Sequence, residues 1–162
     1  MIQNSMIFSI ADKLENVRAR IQKATISAQR LPDSVQLLAV TKTREAETLY
    51  QAMQAGLIQF GENYLSEALV KQESLLKLCG EEDYAKLVWH FIGPIQSNKT
   101  RPIAENFSWV HTLERSKIVN RLNEQRPSQL PPLNCCIQIN IDEEKSKSGL
   151  LLDDVEHLAE EI

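Results

Sequence analysis

The chain has 162 residues, of which 43% are hydrophobic and 25% charged, and this composition is typical of one ordinary globular domain, expected to span residues 1–162. The formal net charge of −4 argues against a nucleic-acid partner, because nucleic-acid binding is usually marked by a basic patch. No apolar run approaches the ~20 residues needed to cross a bilayer, so no membrane association is expected.

The first elements are predicted from the spacing of apolar side chains. Residues 8–30 carry them three and four positions apart, which predicts an amphipathic helix that ends before Pro32. Residues 35–41 are almost continuously apolar, as is typical of a buried parallel strand, and Lys42 closes this run. Residues 44–55 return to helical spacing.

The alternation continues along the rest of the chain. Further strands are predicted at residues 57–60, 87–92, 108–112 and 134–141. Further helices are predicted at residues 64–78, around Gln96, Asn98 and Lys99, at residues 114–124, and from residue 150 onward. About five strand–helix units therefore follow the opening helix, which indicates a parallel α/β sheet covered by helices.

Two α/β architectures compete for this pattern, an open doubly wound sheet and part of a (β/α)₈ TIM-type barrel. Neither Gly-x-Gly-x-x-Gly nor Gly-x-x-x-x-Gly-Lys-Ser/Thr follows any predicted strand, so the usual nucleotide signatures of an open sheet are missing. Polar residues at the strand ends favour the barrel, although periodicity alone does not decide between the two.

The candidate functional residues lie where predicted strands end, because parallel α/β folds gather their functional groups at the carboxyl ends of the strands. These residues are Lys42, Asn63, His90, His111 and Asn140. Strand alternation turns Gln138 and Asn140 toward the interior, and Ile137, Ile139 and Ile141 toward the helices.

Each candidate also has a plainer interpretation. Lys42 could simply reach water, although partial desolvation at a barrel mouth would increase its fraction of neutral, nucleophilic amine. From its position alone, His90 is a hydrogen-bonded core histidine. The three histidines lie far apart in the chain without metal-ligand spacing, so no metal site is expected. Three cysteines, including the neighbours Cys135 and Cys136, argue against a disulfide framework and indicate a cytoplasmic protein.

A family resemblance sharpens this interpretation. The segments that carry it are Leu38-Ala39-Val40-Thr41-Lys42-Thr43, Phe60-Gly61-Glu62-Asn63-Tyr64, residues 89–99, His111-Thr112, Arg121-Leu122-Asn123, Gln138-Ile139-Asn140 and Lys145-Ser146-Lys147-Ser148-Gly149. Together they resemble the family of pyridoxal 5′-phosphate (PLP) homeostasis proteins, whose fold is related to the N-terminal barrel domain of alanine racemase.

The resemblance implies a barrel with PLP at its mouth, held as a Schiff base on Lys42, with Asn63 and His90 in or beside the cofactor pocket. Asn140, at the end of the fifth predicted strand, completes the set of expected cofactor-binding residues. The resemblance also implies a protein that binds, stores or hands on PLP, with PLP-dependent apo-enzymes as possible recipients, rather than an enzyme with turnover. Two alternatives remain open at this point. One is an enzyme of the alanine-racemase type, with Lys42 as its base, and the other is a non-binding interaction fragment.

A complete barrel needs ~250 residues, considerably more than this chain supplies. The resemblance therefore predicts a C-terminally truncated barrel, either a fragment or a shortened product. In the family, the later strands carry a glycine- and serine-rich turn for the cofactor phosphate and an arginine near the pyridine nitrogen. Neither motif is present here, so we expect weaker PLP binding than in a complete relative.

Overall fold

The computed structural model describes residues 9–162, and its first element is helix α1, Ile10–Ser27. The helix begins with a capping box in which Ser9 and Asp12 bind each other's backbone N–H groups. The predicted start at residue 8 lies outside the described residues. The helix ends before residue 30, because the Arg30 N–H donates to the Thr25 carbonyl while Gln29 adopts a left-handed φ of 53°.

The remaining elements alternate as the sequence predicts, with two differences. A short helix at Glu81–Tyr84 is not among the predicted elements, and the helix expected around Gln96, Asn98 and Lys99 begins only at Thr100. The other helices are α2 Ala46–Gln54, α3 Leu65–Cys79, α4 Glu81–Tyr84, α5 Thr100–Asn106, α6 Ser116–Gln125 and α7 Val155–Glu160. The strands are β1 Ala39–Val40, β2 Gln59–Glu62, β3 Val88–Phe91, β4 Trp109–Leu113 and β5 Asn134–Ile137. Short 3-10 turns at Ser97–Lys99 and Leu152–Asp154 lead into α5 and α7.

All five strands are parallel, and they follow one another in the sheet in the order β1-β2-β3-β4-β5. A doubly wound sheet adds strands on both sides of its first strand, so its spatial order differs from its chain order. Sequential order is the arrangement of a (β/α)₈ barrel. Within residues 9–162 the sheet is therefore an arc of a barrel.

The hydrophobic core lies between this sheet and its helices. Strand residues in the core are Phe60, Trp89, Phe91, Val110 and Leu113, and helix residues include Leu49, Leu75, Ile103, Ile118 and Leu122. Phe60 and Trp89 are tilted against each other with ring centroids 5.4 Å apart, which is a favourable aromatic geometry. We call the side of the sheet that carries these residues its outer face, and the opposite side its inner face.

The first two strands differ from their predicted bounds for one reason. Gly56 has a φ of 82° and the Leu57 N–H donates to the Ala52 carbonyl, so residues 56 and 57 form the C-terminal turn of α2. Strand β2 therefore starts at Gln59, later than predicted. Since Ala39 pairs with Phe60, the earlier part of the predicted first strand has no ladder partner, and Val35 is exposed.

The fifth strand is shorter than predicted. Cys135 and Ile137 pack against the core as expected, but Ile139 and Ile141 are exposed instead of meeting the helices. After Ile137 the chain leaves the ladder, and Asn140 N–H pairs with the Leu150 carbonyl. Because this pairing engages residue 150, the last helix begins only at Val155, five residues later than predicted. No helix within residues 9–162 is long and apolar enough to cross a membrane.

The fully buried ring of Phe60 is expected to dominate the packing of β2 against the helices. The substitution Phe60→Ala should lower the free energy of unfolding by ~3–5 kcal/mol, because it leaves a cavity in the core. Urea denaturation measures this change. Tyr64→Ala removes another aromatic ring, which is 57% exposed, and should change stability by less than about 0.5 kcal/mol. Equal losses in both variants would contradict the assignment of the core.

Candidate functional site

The strand register defines which side chains meet on the inner face. The ladder pairs Val40 with Gly61, Gly61 with His90, and His90 with Trp109. Pairing continues past the ends of the strands, because Thr41 N–H donates to the Gly61 carbonyl and Ile92 N–H donates to the Glu62 carbonyl. Val40, Gly61, His90 and Trp109 therefore form one row across the inner face. Because side chains alternate, the residues two positions later in each strand form a second row nearer the carboxyl edge, made of Lys42, Asn63, Ile92 and His111.

Lys42 lies in the turn that follows β1, and its side chain is exposed. Of the two interpretations of Lys42, its exposure in the described part of the chain favours a side chain that reaches water over a partly desolvated amine. The cause is the open inner face, on which Val40, on the same face of the strand, is 53% exposed. An exposed primary amine at the carboxyl edge of the sheet is accessible to a small molecule.

Asn63 follows β2 and is held in place by the turn after β3. A Cβ atom at Gly93 would lie 2.0 Å from the Asn63 carbonyl oxygen, so only glycine fits at this contact. The Thr112 hydroxyl donates to the Gly93 carbonyl at 2.6 Å and fixes the same turn. Asn63 Oδ1 is buried and has no hydrogen-bond partner within residues 9–162, so it remains free to accept one.

His90 and His111 form a pair on the inner face, with 2.9 Å between His90 Nδ1 and His111 Nε2. These two histidines are 21 residues apart in the chain, and neighbouring strands bring them together. The ring of Trp109 stacks on His90 with centroids 5.6 Å apart. His90 is thus a buried, hydrogen-bonded histidine, yet its Nε2 has no partner among the described residues.

Burial and the neighbouring His111 lower the pKa of His90 to about 4, and burial also lowers the pKa of His111. Both rings are therefore neutral near pH 7, so that each can donate from one nitrogen and accept at the other. Within residues 9–162, no three His, Cys, Asp or Glu side chains are grouped as a metal site would require.

Asn140 binds its own loop, residues 142–149. Its side-chain amide donates to the Glu144 carbonyl at 2.9 Å, and the Gln138 amide donates to the Ser148 carbonyl at 3.3 Å. Gly149 packs so tightly that a Cβ there would lie 2.7 Å from the backbone nitrogen of Asn140. The structure therefore brings Lys42, Asn63 and His90 onto one face, whereas the amide group of Asn140 is engaged in a loop contact.

A buried polar network lies behind Lys42, on the outer face. Glu62 is fully buried, and its Oε1 accepts hydrogen bonds from Lys71 Nζ at 2.6 Å and from the Thr41 hydroxyl at 2.6 Å. Lys71 Nζ also donates to the Thr41 carbonyl at 2.6 Å and lies 2.7 Å from Glu67 Oε1. The hydrogen bond from Lys71 holds the pKa of Glu67 below its ordinary value, helped by the Thr43 backbone N–H.

Sequence reasoning missed this network, although two signals pointed to it. Glu67 and Lys71 are four residues apart on a predicted helix, a spacing at which opposite charges meet. Thr41 and Glu62 are polar residues whose strand alternation directs them toward the helices. Only the packing of α3 against β1 and β2 shows that both pairs form one cluster.

One cavity lies at the opposite end of the sheet from the candidate residues. It has a volume of about 590 Å³ and lies between α1 and the segments that precede β1 and β2, where Ile21, Thr25, Leu37 and Ile58 line it. A second cavity of about 470 Å³ adjoins residues 138–142, Lys147 and Ser148. Neither cavity is lined by Lys42, Asn63 or His90, which lie on the open inner face.

Comparison with known proteins gives these strand-end residues a context. The family described as "Alanine racemase, N-terminal domain" matches residues 13–162. The chain belongs to this family. Its sequence is 54% identical over 154 residues to a pyridoxal phosphate homeostasis protein of Pseudomonas aeruginosa, covering 95% of this chain and 64% of that relative. It is 48% identical over 150 residues to the protein of the same name in Escherichia coli, covering 93% and 62%.

Solved structures agree with this placement. PipY of Synechococcus elongatus, determined with PLP bound, is 30% identical, has a TM-score of 0.75, and is matched over 93% of this chain and 62% of that chain. A protein of unknown function from Bifidobacterium adolescentis is 25% identical with a TM-score of 0.82, over 99% and 66%. The predicted resemblance and the barrel-type fold are confirmed. The chain spans less than two thirds of the length of the two curated relatives described above.

The lowered pKa of His90 makes stability depend on pH in a defined direction. At pH values between the lowered pKa of about 4 and the ordinary pKa of 6.5, this ring binds a proton in the unfolded state but not in the folded state. Stability should therefore fall as the pH decreases through this range. His90→Gln keeps a polar partner for His111 but lacks the titrating ring. The free energy of unfolding of this variant, measured at several pH values, should decrease less over this range.

The matched control is His157→Gln, which replaces an exposed histidine on α7. This variant keeps the pair of His90 and His111, so its stability should still fall as the pH decreases through this range. A decrease of equal size in the unmodified protein and in His90→Gln would contradict the assignment of a buried neutral ring.

Proposed function

We propose that this chain binds PLP covalently through Lys42, with Asn63 and His90 lining the cofactor site. The observation that carries the proposal is the shared inner face. An accessible primary amine shares this face with two buried polar atoms, Asn63 Oδ1 and His90 Nε2, that have no partner within residues 9–162. Buried polar atoms are nearly always hydrogen-bonded, so this pair is suited to a polar ligand.

The residues present fit the cofactor chemically. When bound, PLP supplies an aldehyde that bonds to a primary amine with loss of water, as lysine does in PLP-dependent proteins. Lys42 offers that amine at the carboxyl edge of the sheet, where barrel proteins bind their ligands. His90 and Asn63 can hydrogen-bond polar groups of the ligand, and Trp109 supplies an aromatic wall beside His90.

The relatives support the same function. Those described above carry the name of PLP homeostasis proteins, and PipY was solved with PLP. Because the chain spans only part of their length, the proposal concerns the groups that residues 1–162 contribute. In this proposal these residues belong to one alanine-racemase-like barrel domain, of which β1 to β5 are five strands. The proposed assignment of Asn140 to the cofactor is weaker, since its amide group already binds Glu144.

We further propose that the protein binds PLP without turning over a substrate, and that it acts in the cytoplasm on behalf of PLP-dependent apo-enzymes. The relatives are named for homeostasis rather than for a reaction, which supports this view. Racemisation needs acid–base groups on both sides of the substrate's α-carbon. Within residues 9–162, Lys42 is the one strand-end amine on the inner-face row.

Incubation with PLP followed by borohydride reduction should place a stable pyridoxyl label on Lys42, because reduction traps the bond between amine and cofactor. Peptide mass spectrometry locates the label. Lys42→Ala should lose most of it, whereas Lys13→Ala, at an exposed lysine on α1, should label as the unmodified protein does. Labelling spread evenly over surface lysines, and unchanged by Lys42→Ala, would reject the proposal.

The absence of turnover is tested separately. The PLP-loaded protein, incubated with L-alanine, should form no more D-alanine than free PLP does at the same concentration. Chiral chromatography measures the product. D-alanine formed in proportion to protein, and lost in Lys42→Ala, would instead favour an alanine-racemase-like enzyme.

A further inference from the structure

We propose that Glu67 and Lys71 are positioning residues that fix the backbone on both sides of Lys42 and so direct its amine along the inner face. The proposal rests on the proposed role of Lys42 as the PLP-binding lysine. The two residues lie on the outer face, where they would support Lys42 without contacting the ligand.

The network holds the residue before Lys42 through two contacts. Lys71 Nζ donates to the Thr41 carbonyl at 2.6 Å, and the Thr41 hydroxyl donates to Glu62 Oε1 at 2.6 Å. Thr41 is 8% exposed, so both contacts are shielded from water. Thr41 is therefore anchored to α3 through its carbonyl and to β2 through its side-chain hydroxyl.

The residue after Lys42 is held by the same cluster. Glu67 Oε1 accepts a hydrogen bond from the Thr43 backbone N–H, and the same oxygen lies 2.7 Å from Lys71 Nζ. Lys71 thus connects the contact before Lys42 with the contact after it. Because Glu67 and Lys71 are one turn apart on α3, the helix presents both groups as a rigid pair.

The conformation of Thr43 explains why such a contact is needed. Its φ is 62°, in the left-handed region that a β-branched residue rarely adopts. This turn reverses the chain directly after Lys42 and ends the strand. A strained backbone conformation persists only when its surroundings hold it, and the Glu67 carboxylate supplies a direct hydrogen bond to that residue.

The burial of the charges also favours a positioning role over a purely stabilising one. Lys71 and Glu62 have side chains that are 6% and 0% exposed, and burying an ion pair costs much of the attraction that it gains. A buried pair of this kind is therefore weak evidence for stability, and in our proposal its role is to fix the geometry of the turn. Glu67, at 31% exposed, is the accessible member of the cluster, and its loss leaves Lys71 paired with Glu62.

The test therefore changes Glu67. Glu67→Met removes the acceptor, Glu67→Gln retains an acceptor oxygen without charge, and Glu73→Met is the matched control. Glu73 lies on the same helix and pairs with Lys77 at the same spacing, but both of those side chains are exposed and contact no part of the Lys42 turn. Circular dichroism and urea denaturation identify conditions in which every variant is folded.

The first measurement is amide hydrogen exchange at Thr43 in the full chain without PLP. A hydrogen bond to a charged acceptor protects an amide strongly, so Glu67→Met should exchange roughly tenfold faster at this position. Glu67→Gln should retain most of the protection, and Glu73→Met should leave it unchanged. Unchanged protection in Glu67→Met would overturn the proposed contact.

The second measurement is the rate at which Lys42 captures PLP, trapped with borohydride and followed by mass spectrometry over a range of pH. We expect capture by Glu67→Met to be roughly tenfold slower, because the amine loses its fixed direction. Capture should be largely restored in Glu67→Gln and normal in Glu73→Met. If Glu67 only stabilised the fold, Glu67→Met would lower the free energy of unfolding in urea and leave the rate of PLP capture unchanged.

The outcomes separate the two proposals. If the unmodified protein does not label at Lys42, the proposed function is wrong, and the positioning role falls with it even if Thr43 is protected. If the unmodified protein labels at Lys42 and Glu67→Met labels at the same rate, PLP binding stands and the positioning role is rejected. Slow capture in Glu67→Met with rescue in Glu67→Gln supports both.

Discussion

Main-chain pairing between neighbouring parallel strands is the constraint on which the rest of the molecule depends. The longest ladder joins β2 to β3 and sets Gln59 against Val88 and Glu62 against Phe91. Because side chains alternate along each strand, this single register sends Phe60 and Trp89 to the helices and Gly61 and His90 to the inner face. A slip of one residue would exchange the hydrophobic core with the candidate site.

The two faces that result have different electrostatics. On the inner face, burial keeps His90 and His111 neutral near pH 7, and unpaired polar atoms remain for a ligand. On the outer face, Glu62 and Lys71 form a buried ion pair through Glu62 Oε1, while Glu62 Oε2 has no hydrogen-bond partner among the described residues. Lys42 lies between these environments, with its side chain exposed and its neighbours Thr41 and Thr43 tied to the buried network.

Much of the fold could be predicted because its signals are local. Apolar spacing located most of the helices, and the strand ends indicated Lys42, Asn63 and His90 as candidates. The errors occurred where hydrogen bonds at the end of an element decided its bounds. The apolar residues around Leu57 predict a strand there, but the Leu57 N–H donates to the last turn of α2. Ile139 and Ile141 alternate like strand residues, yet the chain leaves the ladder to pair with Leu150.

The sequence by itself determined the alternation of strands and helices, the polar strand ends and the family, since each of these depends on residue type and spacing along the chain. Only the tertiary structure decided that Lys42 is exposed, that His90 meets His111, and that Lys71 joins Thr41 and Glu62. Those contacts join residues from different strands and helices. They exist only after the parallel register and the packing of α3 bring distant segments together, and periodicity along the chain carries no information about such distances.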